Sequence, residues 1–202
     1  MTAVQRNFAA AISLLFALGI SVDWMQAAMA RHMLLQMPAL ACAGWLLHAS
    51  ITENQQARFA VWNQHGILGF VFLQGVALFW MVPRALDLAL VSAPMAGFKI
   101  ITWITAGFLL RQSMRQSNPL LQFFMLGNFT MMTCAVSDIY ENAPTRLCNA
   151  YGQNDQEITS QGLLWLCGEL AVLWVYALSR SDLRASYAGL ASAKTFLMER
   201  TP

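Results

Sequence analysis

A chain of 202 residues that is 57% hydrophobic and only 11% charged, with a mean hydropathy of +0.48, is too apolar for a soluble domain, where about a quarter of the residues carry charge. A net charge of +2 with no basic stripe excludes nucleic acid as a partner. No serine, cysteine or carboxylate constellation for hydrolysis and no phosphate-cradling glycine loop stands in the sequence, so nothing in it points to an enzyme.

Apolar stretches recur along the whole chain, each near the roughly 20 residues needed to cross the hydrocarbon layer. They predict an all-α fold, a polytopic membrane helical bundle of about six transmembrane helices. The expected spans are about 6–23, 30–50, 64–83, 91–110, 119–137 and 158–178, with ends uncertain by several residues. The first apolar run, from Phe8 to Val22, leads into Asp23 and Trp24 without a small-residue cleavage site, so a retained span is expected rather than a cleaved signal. The second carries Pro38, which lacks a backbone donor and is expected to kink the helix beside the methionines that precede it. The longest connection outside the membrane, SDIYENAPTRLCNAYGQNDQE, follows the fifth span and is expected to cover one face or meet a partner. Residues 1–180 thus form one transmembrane domain and residues 181–202 a cytoplasmic tail, without repeats or low-complexity tracts.

Orientation follows from the basic residues. With a cytoplasmic amino terminus, Arg6, Arg58, Arg111, Arg115, Arg180, Arg184, Lys194 and Arg200 lie inside, and only Arg31, Arg84 and Arg146 lie outside. This positive-inside bias predicts a multi-pass protein of the bacterial inner (plasma) membrane with both termini cytoplasmic. Asp23, Asp87, Asp138, Glu141, Asp155 and Glu157 then gather on the outer side, where an acidic face attracts cations.

The candidate site lies in MQAAMARHMLLQM, residues 25–37. Met29, His32, Met33 and Met37 fall at spacings that bring one imidazole and three thioethers to a single helical face. Soft thioether and imidazole donors suit Cu(I) better than zinc, magnesium or calcium. Methionine also fills irregular helix contacts, so a packing stripe is the competing explanation. Met25, Met81, Met95, Met131 and Met132 fall towards the same outer ends of spans, an asymmetry for which packing gives no reason. Met25, Met131, Met132 and Cys134 are further candidate donors.

Other residues carry weaker signals. His48 and His65 flank one inner loop, either as a metal, haem or proton-carrying pair or as interfacial side chains hydrogen-bonded locally. Lys99 and Glu169 fall within spans, where a charge costs at least ~2.5 kcal/mol. They are expected to pair, as a packing device or as a relay. Cys134 and Cys148 bracket the outer loop, as a disulfide in an oxidising compartment or as thiolate ligands, whereas Cys42 and Cys167 are expected to act as small apolar residues.

The segment AMARHMLLQMPAL resembles the HMxxHMLL segment, followed by proline, of the CtaG family of membrane proteins linked to cytochrome c oxidase assembly and copper handling. His32, Met33, Leu34 and Leu35 match its second half and Met29 its first methionine, while Ala28 stands where the family has a histidine. FWMVPRALDLAL is similar to the family's FW, proline, D-x-A-L run, with Met95 and Lys99 following where histidines are usual. DQEITSQGLLW looks like the family's DQ, glycine, tryptophan approach to a late helix, at slightly different spacing. The resemblance, spread in order over residues 24–170, implies a Cu(I)-handling protein that serves cytochrome oxidase assembly or copper delivery. Its implied partners are the lipid bilayer and a haem-copper oxidase subunit or periplasmic copper carrier. The alternative is a non-catalytic structural or accessory subunit of a respiratory complex.

Overall fold

The computed structural model describes the backbone of residues 2–198, while side chains at 173, 174, 177, 178 and from 180 onward lie outside the described residues. The helices are α1 (Ala3–Ile20), α2 (Val22–Gln26), a π-helical segment (Arg31–Gln36) running into α3 (Met37–Ser50), α4 (Glu53–Trp62), a 3₁₀ turn (Gln64–Gly66), α5 (Ile67–Trp80), α6 (Pro83–Val91), α7 (Ala93–Gln116), α8 (Pro119–Asn142) and α9 (Gln153–Met198). No strand occurs among the described residues. The expected all-α fold is therefore what forms.

Four helical stretches are long and apolar enough to cross a membrane: Ala3–Ile20, Arg31–Ser50, Ala93–Gln116 and Pro119–Asn142. The pair Gln64–Trp80 and Pro83–Val91 qualifies only when taken together, and it is bent by 77°. Proline explains the break, because Pro83 opens α6 after an extended Val82, a residue that the proline ring pushes out of helical geometry. The sixth expected span, 158–178, falls in α9 and extends into side chains outside the described residues. The side chains of the expected tail, 181–202, lie outside them too.

Local signals account for the boundaries. Thr2 with Gln5 and Thr52 with Gln55 form capping boxes at the starts of α1 and α4, each satisfying two otherwise unpaired donors. Asn118 caps α8 with Pro119 at its first position, where the missing N–H costs nothing. The connection between the second and third expected spans therefore contains a helix, α4. Ahead of Pro38 the chain widens into the π turn at Arg31–Gln36, so the proline effect is a change of helical pitch.

The core is drawn together where glycines let backbones touch. A Cβ on Gly44 would collide with the Ile104 carbonyl, one on Gly107 with the Ala41 carbonyl, and one on Gly69 with Ser113 and Leu109, so α3 and α5 both lie close against α7, as small residues permit in membrane bundles. Hydrogen bonds tie the two ends of the bundle. At one, Asn63 Nδ2 donates to Ser113 Oγ (2.8 Å), Gln122 Nε2 to the Met114 carbonyl (3.0 Å), and Asn7 Nδ2 to the Ala49 carbonyl (3.4 Å). At the other, Tyr140 donates to the Met81 carbonyl, and Asp87 accepts from the backbone N–H groups of Asn149 (2.8 Å) and Ala150 (3.1 Å). The second end carries the candidate site.

Candidate functional site

Lys99, in the second turn of α7, is 1% exposed. Its Nζ donates to Gln36 Oε1 at 2.8 Å and lies 2.7 Å from His32 Nε2. The other ring nitrogen, Nδ1, lies 2.8 Å from the Tyr151 hydroxyl, which donates to the Gln26 carbonyl at 2.9 Å. An ammonium only donates, so Nε2 accepts and the ring proton sits on Nδ1. Every hydrogen bond then runs in one direction, from Lys99 through His32 and Tyr151 to the backbone.

The local fold explains the convergence. His32 and Gln36 lie on the π turn, and both reach the same ammonium from one side of α7. Pi turns inside helices frequently mark functional positions. Tyr151 comes from the connection between α8 and α9, which folds over this end as expected. Leu147 N–H donates to Gln156 Oε1 (2.8 Å) and Gln156 Nε2 to the Tyr140 carbonyl (2.8 Å), holding the connection down. Burial pushes the Tyr151 hydroxyl well above its ordinary pKa, so it stays protonated and able to donate.

All four candidate ligands are buried: Met29 and His32 at 0% exposure, Met33 at 5% and Met37 at 2%. The three methionines belong to a single core cluster with Trp80, Trp103 and Tyr140, and Met25, Met81, Met95 and Met132 pack against it. Met131, in contrast, is 71% exposed. Gln36 and Tyr151 carried no functional signal in the sequence. Gln36 is legible in retrospect as a polar residue one turn after His32 in an apolar run, but nothing marked Tyr151.

Three expected pairings change. Lys99 turns to His32 and Gln36, while Glu169 is exposed on α9, because the π turn offers the ammonium two acceptors in the core. Cys134 and Cys148 are both free, since Cys134 lies on α8 and Cys148 is buried with its thiol towards the Pro83 carbonyl at 3.8 Å. Burial and then the Asp87 carboxylate push the Cys148 thiol up to about 12, which disfavours the thiolate a metal needs. Of the two cysteines expected to act as small apolar residues, Cys42 is exposed and Cys167 is buried. His48 is buried at 1% against the Phe108 ring, 4.8 Å between centroids, whereas His65 is exposed in left-handed backbone, φ 64°.

Among the described residues no cluster of three His, Cys, Asp or Glu side chains forms a metal-ligand group. What the site offers is a buried ammonium with neutral partners, His32 and Gln36, on the helical stretch that also carries buried Met33. Comparison with family models, with curated proteins and with solved structures finds no match to this chain.

Proposed function

We propose that this is a multi-pass inner-membrane protein that binds Cu(I) in its methionine-lined core near the periplasmic face, for cytochrome oxidase assembly or copper delivery. The observation that supports this reading is the burial of Met29, Met33 and Met37 in one core cluster, with Met25, Met81, Met95 and Met132 packed against it, on the stretch that also carries the buried imidazole of His32. Thioethers are soft, neutral donors that need no deprotonation, which suits Cu(I). Met29, Met33 and Met37 would hold the ion. His32 fits as a fourth donor only on leaving Lys99 or Tyr151, because each ring nitrogen already makes a hydrogen bond, so the thioethers carry most of the affinity. A bound Cu(I) supplies a soft cation that can be exchanged to another donor set. The recipient or source is a haem-copper oxidase subunit or a periplasmic copper carrier, and the lipid bilayer surrounds six crossings with both termini cytoplasmic.

An anaerobic Cu(I) competition titration on the detergent-purified chain tests this. About one Cu(I) per chain is expected, and joint replacement of Met29, Met33 and Met37 by Leu should weaken binding at least ~10-fold, or ~1.4 kcal/mol. Because Leu conserves volume, the melting temperature should change little. Unchanged affinity would mean that the stripe is packing.

A second reading, a structural or accessory subunit of a respiratory complex, is favoured by one feature. His32 is fully engaged by Lys99 and Tyr151, as a polar pin joining the π turn, α7 and the α8–α9 connection requires. Co-purification with a larger complex and no copper at stoichiometric level would select it.

A further inference from the structure

At the opposite end of the bundle lies a cavity of about 420 Å³ whose walls come from the end of α3, from α4 and from the last turns of α7. Its lining includes His48, Glu53, Gln56, Gln112 and Arg115. Two of these are nearly inaccessible: His48 is 1% and Gln112 3% exposed. Neither nitrogen of the His48 ring and neither end of the Gln112 amide has a hydrogen-bond partner among the described residues. A buried donor or acceptor left unpaired costs stability, and native proteins keep few of them. Two such side chains on the wall of one cavity therefore point to a ligand that completes them.

The charges and the location narrow its chemistry. Arg115 and Glu53 bring one cation and one anion to the same cavity, and Arg115 is already oriented by donating to Gln56. The guanidinium fork suits a phosphate; a carboxylate suits an ammonium. The wall formed by α4 exposes Phe59, Val61 and Trp62, the last at 83%, beside polar Glu53 and Gln56. That is the composition of a helix lying in the membrane interface, with tryptophan at headgroup level. Pockets between membrane helices that carry basic side chains at the cytoplasmic side bind lipid headgroups.

We propose that this cavity is a binding site for a phosphoethanolamine group, its phosphate accepting from Arg115, from Gln112 Nε2 and from the His48 ring N–H, and its ammonium donating to Glu53 and to Gln112 Oε1. The site depends on the chain spanning a membrane and not on copper, and it lies at the end away from His32 and Met29. Native mass spectrometry of the delipidated full chain tests it, with phosphatidylethanolamine, phosphatidylglycerol, phosphatidylcholine and soluble phosphoethanolamine as probes.

One phosphatidylethanolamine per chain is expected, bound at least ~10-fold more tightly than phosphatidylglycerol. Glu53→Gln should abolish that preference while leaving a phospholipid bound, and Arg115→Gln should lose both lipids. Both side chains are exposed, so these variants leave the core intact. His48→Leu with Gln112→Leu should lose the lipid yet melt no lower without it, because the unpaired atoms are gone. Soluble phosphoethanolamine that displaces the lipid shows that the headgroup carries recognition, and its binding where no lipid adduct forms assigns the site to the free molecule. Equal binding of the phospholipids, or a preference unmoved by Glu53→Gln and Arg115→Gln, overturns the proposal.

Discussion

At the scale of single residues, the site turns on the Lys99 amine that occupies the Nε2 side of His32. Lys99→Gln removes the ammonium and frees a ring lone pair. Cu(I) affinity in the same titration should then rise ~10-fold, about 1.4 kcal/mol, while chemical denaturation shows a loss of about 1–3 kcal/mol as His32 loses its buried partner. An affinity that stays constant would show that His32 takes no part in binding. Cys148 gives a pH test. Its thiol moves from 9.0 in the unfolded chain to about 12 in the fold, so only the unfolded form ionises between those values. Stability is therefore level below pH 9 and falls as pH rises towards 12. Thiol alkylation of native protein at pH 8 should spare Cys148, and a Cys148→Ala variant should flatten the alkaline limb of the melting curve.

At the scale of elements, the long helices were legible from hydropathy: α1, α3, α7 and α8 overlap expected spans. Three features were not. The π turn at Arg31–Gln36 arises ahead of Pro38, and pattern reasoning that assumes a 3.6-residue period does not register a change of pitch. The break between α5 and α6 falls at Pro83, where the third expected span ends, but the connection expected after it, up to residue 91, is itself the helix α6. Helix α4 was concealed by its low apolarity. The burial of Met29, His32, Met33 and Met37 at one end was foreseeable from periodicity, whereas Tyr151 reaches His32 across 119 positions of sequence, a separation that local pattern cannot span. Glycine spacing shows where helices touch, and it can be tested by size. Gly107→Ala places a methyl group against the Ala41 carbonyl, while the same change at Gly75 meets nothing within 4 Å. The first should cost about 1–3 kcal/mol by overpacking, and the second should stabilise by roughly 0.5–1 kcal/mol through helix propensity. Equal effects in thermal melts would mean that α3 and α7 are not in backbone contact.

At the scale of the molecule, the two sets of end contacts determine which way each helix runs. Asn7 on α1 meets the end of α3, Asn63 ahead of α5 meets the end of α7, and Gln122 at the start of α8 meets the end of α7 again. Successive long helices therefore alternate in direction, and Asp87, Tyr140, Tyr151 and the start of α9 share the other end. Helix α5 has 14 residues, about 21 Å at 1.5 Å each, short of a hydrocarbon layer of about 30 Å. A crossing by α5 alone, as the proposed six-span topology requires, would need the turn before it and local thinning of the bilayer, with α6, bent by 77° from it, running aside. The basic residues Arg58, Arg111 and Arg115 lie at the α4 end, so the orientation proposed above, which follows the positive-inside rule, has that end in the cytoplasm and the methionine core outside. Asn149→Cys and Asn54→Cys, made separately at two exposed positions in a background with Cys42, Cys134, Cys148 and Cys167 replaced by Ala, report this directly. An impermeant maleimide added to intact cells should label position 149 and not 54, with labelling at 54 appearing once the membrane is opened. The reverse pattern would put the methionine core on the cytoplasmic side, where it would draw on a different copper pool, and labelling of both from one side would contradict the alternation itself.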